Sequence, residues 1–226
     1  MTVQDEPSRI TPAIEDYLKA IYTLQQEQGV VTTTLLGELR GYRPASVTGM
    51  IKKLAEMNLV QHTPYQGVQL TAAGERIALE VIRHHRLLEL YLVEALGYSW
   101  DEVHEEAEKL EHHISEKLEA RIAAHLGHPS ADPHGDPIPT LEGDLPECAD
   151  LFLADLRVND RARIVRMRDQ STDRLRYLAD LGLVPGATIV VVASAPFDGP
   201  LSLNLAGATH AIDRRLARTI EVERLG

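Results

Sequence analysis

Five of the ten histidines in this chain fall between His84 and His113, among carboxylates at helical spacing. In VIRHHRLLELYL, His85 and Glu89 stand four apart. In VHEEAEKLEHHISEKLEARI, the residues His104, Glu108, Glu111 and His112 stand at i, i+4, i+7 and i+8, which predicts one face of a single helix. The chain therefore has to build two adjacent long helices that both carry such donors. Imidazole and carboxylate donors with almost no thiol nearby suit a borderline first-row divalent cation. The plainer alternative is an acidic, solvated helix pair with incidental histidines. Isolated His–Glu pairs are common on helix surfaces, but two neighbouring helices bearing them are less so. On an ideal helix His84 and His113 point about 100° away from the ligand face, so they read as surface or supporting residues. His62, His125, His128 and His210 have no partner spacing and read as structural or solvated. His134, inside PHGDPIP, reads as a turn residue.

The net charge of −11 argues at first against nucleic acid, but it is unevenly spread. Residues 1–71 carry six Lys/Arg against seven Asp/Glu, whereas 72–126 carry six against twelve. A near-neutral N-terminal region can present a local basic face, while acidic helices that need a cation to relieve repulsion suit a sensor. No run is long and apolar enough to span a membrane. The polar start MTVQDEPSRI and the single cysteine, Cys148, predict a cytoplasmic protein without an intramolecular disulfide.

The order of elements predicts an α+β multidomain chain. A helix starting after Thr11, with Pro12 in its first turn, runs to Gly29. A short helix, TLLGELR, precedes a third that begins near Pro44. Val47, Met50, Ile51 and Leu54 form the inner face of that third helix, and Ser46, Thr48, Gly49, Lys52 and Lys53 the outer. Two short strands then flank the turn YQG. This is the order of a winged helix-turn-helix, whose second motif helix enters the major groove. It predicts a DNA-facing set of Thr33, Thr34, Arg43, Ala45, Ser46, Thr48, Gly49, Lys52 and Lys53, with Tyr65 and Gln66 at the wing. Long helices at 72–96 and 100–126 follow, capped by Thr71 and Ser99. Residues 128–150 are rich in Pro, Gly and Asp and read as a linker. Beyond it, β-branched runs parted by turns, interrupted by one helix at TDRLRYLADLG, predict a small, partly closed β-barrel. The predicted domains are thus 1–71, 72–127, the linker 128–150, and 151–226.

The motifs EDYLKAIYTLQQEQG, PASVTGMIKKLAEMNLV, VQLTAAGERIA, RHHRLLELYL, VHEEAEKLEHHIS and PHGDPIP resemble the DtxR family of metal-dependent transcriptional repressors over nearly the whole chain. The resemblance implies a homodimer on palindromic operator DNA, with the terminal β region an SH3-like, FeoA-type domain. It implies a regulatory metal site of Asp16, Glu108, Glu111 and His112. A second site would use His85, Glu89 and His104, with extra ligands from the β domain. Ser171 and Arg174 align where iron-type members place oxygen ligands, and Asp169, Gln170 or Asp173 could serve with a small shift. Iron-type members carry methionine and cysteine where this chain has Asp16 and Glu108. Hard oxygen donors there resemble the manganese-responsive branch, with Mn²⁺ the expected effector and Fe²⁺ second. Lys19 departs from two-domain manganese members, which place a carboxylate there, and a paired metal centre is not expected. An iron-responsive or multi-metal repressor is the alternative reading. A metal-dependent hydrolase is a remoter one, since the chain has no HExxH motif, phosphate-cradling loop or nucleophile elbow.

Overall fold

A computed structural model describes residues 10–41, 43–63, 67–146 and 151–225. The chain forms two compact units. The first comprises the residues through His84 together with Glu111–His113 and Pro139–Asp144; the second comprises His85–Leu110, Ile114–Ile138 and the remainder from Leu145.

The first unit opens with α1 (Pro12–Gln28), α2 (Thr33–Arg40) and α3 (Pro44–Glu56). Pro12 presets the first turn of α1, and Gly29 ends it at φ 74. The Thr32 hydroxyl accepts from Leu35 N and caps α2. Ile14, Leu18, Ile21, Leu36, Val47, Ile51 and Leu54 interlock as one core; of the inner face predicted for α3, Val47, Ile51 and Leu54 are buried and Met50 partly so. Strands β1 (Val60–Thr63) and β2 (Gly67–Leu70) pair antiparallel as the wing. Its predicted tip residues, Tyr65 and Gln66, lie outside the described residues. Helix α4 (Ala72–Leu96) begins where the Thr71 hydroxyl donates to Asn58 O and accepts from Gly74 N. A Cβ at position 74 would lie 2.1 Å from Leu59 O, so only glycine lets α4 start this close to the wing.

The second predicted long helix is not continuous. It divides into α5 (Val103–Leu110) and α6 (Glu116–His125), separated by a turn at Glu111–His113. The Ser115 side chain accepts from Leu118 N and starts a new helix, with Glu116 and Glu119 in its first turn. Glu111 and His112 consequently do not share a helix face with His104 and Glu108. They leave α5 and join the first unit.

The second unit has two cores. One joins Leu87 and Leu88 of α4 to Ala107, Ile122, Ala123 and Ile138. The other fills the C-terminal sheet, whose antiparallel strand order is β6–β5–β4–β3–β7, with β3 Arg161–Met167, β4 Thr188–Ser194, β5 Leu201–Leu205, β6 Ala208–Ile212 and β7 Ile220–Leu225. The predicted helix is α7 (Thr172–Asp180); a 3₁₀ turn at Leu153–Asp155 and the short α8 (Arg214–Ala217) were not anticipated. The segment read as a linker is packed over residues 131–139, whereas 140–142 are exposed. His134 and Ile138 are buried, and Met167 N donates to His134 O at 2.8 Å. Its Pro, Gly and Asp residues build tight turns instead of a flexible tether. No helix of the described residues is long and apolar enough to cross a membrane.

Candidate metal centres and DNA-facing helix

The first group of donors lies in the first unit. Asp16 projects from α1, and Glu111 and His112 from the turn after α5. His112 Nε2 lies 3.3 Å from Asp16 Oδ1 and 3.4 Å from Glu111 Oε1. A divalent ion with bonds of about 2.1 Å sets adjacent donors roughly 3 Å apart, so the three atoms are already near a coordinating arrangement. The other ring nitrogen, Nδ1, stands 2.6 Å from Glu15 Oε2. A carboxylate on the far nitrogen fixes a histidine ring and directs its near nitrogen at an ion. His84, expected to be a surface or supporting residue, is buried and donates from Nδ1 to Glu111 O at 3.2 Å, which fastens the turn. Lys19 Nζ reaches both oxygens of Glu111, at 3.0 and 2.7 Å. Glu108, expected beside Glu111, sits on α5 with Oε1 3.8 Å from His104 Nε2. His113 is exposed, as expected.

A second group lies in the other unit. His85 Nε2, His104 Nδ1 and Glu89 Oε1 form a near-equilateral triangle with sides of 3.0, 3.1 and 3.0 Å. Three donors on one such face can hold a single cation. Burial alone would raise the Glu89 carboxyl, but His104, His134 and His85 hold it well below the ordinary carboxylate range. The carboxylate therefore stays charged and available.

Glu89 also faces a third group, with Asp132 and His134, all buried. His134 Nε2 stands 2.7 Å from Trp100 O, so this nitrogen carries the hydrogen. Nδ1 lies 3.7 Å from Glu89 Oε2 and has no hydrogen-bond partner among the described residues. Asp132 Oδ1 accepts from the backbone N–H groups of His134 and Asp136 at 2.8 and 2.9 Å. Burial, with Asp136 and Glu89 adding repulsion, pushes the Asp132 carboxyl up to about 8. Asp132 and His134 are thereby held in their protonated forms beside a charged Glu89, and a cation binding here would have to displace those protons.

Sequence reasoning missed Asp132 and His134 as donors and Glu15 as the carboxylate that orients His112. Asp132 and His134 stand two apart, with a proline between them, where no helical period marks them. Glu15, adjacent to Asp16, carried no spacing signal of its own. The candidate β-domain ligands stay out of all three groups. Asp169 accepts from Ser171 N and Oγ at 3.1 and 2.7 Å and pairs with Arg174; Gln170 donates to Asp136; Asp173 is exposed on α7.

On α3 the outer face is as predicted. Arg43, Ala45, Ser46, Thr48, Gly49, Lys52 and Lys53 are all exposed, and nothing lies within 4 Å of a Cβ built on Gly49. The Thr48 hydroxyl bonds back to Pro44 O at 3.0 Å. Thr34 is exposed and Thr33 half-buried at the start of α2.

Three family profiles match in succession. Residues 9–68 match the N-terminal DNA-binding domain of iron-dependent repressors, 71–140 their metal-binding and dimerisation domain, and 152–224 the FeoA domain. The iron-dependent repressor IdeR of Mycobacterium tuberculosis is 28% identical over 231 residues, covering 96% of this chain and 100% of that one. The regulator MntR of Oceanobacillus iheyensis is 28% identical over 163 residues, 72% of this chain and 95% of that one. A solved manganese-dependent transcriptional repressor in complex with manganese is 42% identical with a TM-score of 0.84, covering 94% of this chain and 100% of that chain. The chain belongs to the DtxR family of metal-dependent repressors. Membership bears out the expected three-part organisation and places the protein among DNA-binding regulators, not enzymes. The middle DtxR-family match contains Glu89, His104, Glu111 and His112, and also the Asp132–His134 turn that spacing alone had set aside.

Proposed function

We propose that this DtxR-family repressor is activated by Mn²⁺, with Fe²⁺ as the second effector, and that it acts as a homodimer on palindromic operator DNA controlling metal-uptake genes. The observation that carries the metal assignment is the donor set of Asp16, Glu111 and His112, which is oxygen and imidazole without sulfur. Hard carboxylate oxygens favour Mn²⁺ over the softer ions that thiolate and thioether ligands select. A manganese-dependent repressor among the similar solved structures supports the same choice.

In this proposal Asp16, Glu111 and His112 are the regulatory ligands. The bound ion supplies the positive charge to which these groups attach. Asp16 brings α1, which packs in one core with α3, into that attachment. Glu15 keeps His112 Nε2 directed at the site. Fixing α1 fixes α3, and through the dimer the separation of two α3 helices, which must match one DNA turn or a multiple of it. Glu89 anchors the second site, one oxygen towards His85 and His104 and the other towards His134.

The test is anaerobic binding to a duplex selected from a random pool by the Mn²⁺-loaded protein, with Mn²⁺, Fe²⁺, Zn²⁺ or chelator. Strongest stimulation by Mn²⁺ at buffered free-ion concentration is expected. Equal stimulation by every ion would favour the multi-metal reading, and none would remove metal control.

A further inference from the structure

Lys19 lies three residues after Asp16 and four after Glu15 on α1, so all three share one helix face. Its ammonium spans both oxygens of Glu111, whose side chain is only 1% exposed, while that of Lys19 is 14% exposed. A carboxylate this buried requires a compensating cation. Lys19 provides it from the same helix that carries Asp16. The contested atom is Glu111 Oε1, which lies 3.0 Å from Lys19 Nζ and 3.4 Å from His112 Nε2. A divalent ion drawing on Oε1 therefore meets an ammonium already on it.

We propose that Lys19 is an internal cation that stands in for the metal on Glu111 in the metal-free protein and sets the ion concentration at which the regulatory site fills. This rests on Asp16, Glu111 and His112 being the regulatory site. Two consequences follow from the geometry. The metal-free carboxylates are not simply left to repel one another, because Lys19–Glu111 and Glu15–His112 already join α1 to the turn. Metal binding is an exchange of one cation for another, in which Lys19 moves off Oε1.

The experiment is calorimetric titration of the full chain with Mn²⁺, following the binding event that Asp16→Asn abolishes. Lys19→Met and Lys19→Gln remove the charge at similar length, and Lys19→Arg retains it. Removing the charge should tighten that event about tenfold, the factor that ~1.4 kcal/mol represents, while Lys19→Arg stays near wild type. Hydrogen exchange in the metal-free Lys19→Met and Lys19→Gln proteins should be faster along α1 than in wild type. Unchanged or weaker Mn²⁺ affinity in both neutral variants, with folding verified by circular dichroism, would overturn the exchange. If Asp16→Asn removes no binding event, the site reading itself fails, and the role of Lys19 falls with it.

Discussion

At the scale of single residues, the Asp16–Glu111–His112 group shows how a neighbour decides what a candidate ligand can do. Glu15 holds His112 Nδ1 at 2.6 Å and thereby presents Nε2 to Asp16 and Glu111. Glu15→Gln should weaken Mn²⁺ binding about tenfold, the lower end of what losing such a supporting carboxylate costs; equilibrium dialysis would measure it. The buried Glu89–Asp132–His134 group gives a pH signature in the metal-free protein. Burial pulls the His134 imidazole down, but the adjacent Glu89 outweighs it and raises the group from 6.5 to about 9. Its stabilising contribution is complete below 6.5 and lost as pH rises through about 9. Asp132, raised from 3.8 to about 8, adds a growing cost over that interval. Both have the same sign between 6.5 and 8, so the metal-free melting temperature should fall across that range, and His134→Gln should flatten the fall. A melting temperature that rises instead would contradict the charge assignment. The sequence revealed His85, Glu89 and His104 because i,i+4 spacing marks them. It could not reveal Asp132 and His134, whose convergence on Glu89 is purely tertiary.

At the scale of elements, α1, α2, α3 and α4 were legible almost to the residue, because Pro12, Pro44, Gly29, Gly41 and Thr71 mark their ends. The division between α5 and α6 was not. The carboxylate and histidine spacing continued across HHIS, and the Ser115 cap, a readable signal, competed with that periodicity and won. The consequence is functional, since the break is what carries Glu111 and His112 to Asp16. Within the segment read as a linker, residues 131–139 depart from that reading for a related reason: composition reports turns, not whether they are packed. Gly135, at φ +88, shows the packing, since a Cβ there would lie 1.9 Å from Val165 O on β3. Gly135→Ala should cost roughly 1–3 kcal/mol or more from backbone strain and displacement, read by urea denaturation. On α3, the exposed Lys53→Ala should weaken specific and random DNA alike and lower the salt slope by roughly one unit. Loss confined to the operator, with the slope unchanged, would mean that Lys53 does not meet a phosphate.

At the scale of the whole molecule, the acid is concentrated where the donors are. The segment 72–126 carries twelve Asp/Glu against six Lys/Arg, while 1–71 is nearly neutral. In the proposed reading a divalent cation would relieve the first, and the exposed outer face of α3 would meet DNA in the second. This division explains how a chain of net charge −11 can bind a polyanion, and why binding should require metal. By linkage, operator DNA should tighten metal binding by the factor by which metal tightens DNA binding. The central claim is that an ion on Asp16, Glu111 and His112 switches DNA affinity, and fluorescence anisotropy of the selected duplex with wild type and Glu111→Gln, each with Mn²⁺ or chelator, tests it most directly. The account predicts that Mn²⁺ strongly raises wild-type affinity and leaves folded Glu111→Gln at the chelated level. Full metal stimulation of Glu111→Gln would contradict it.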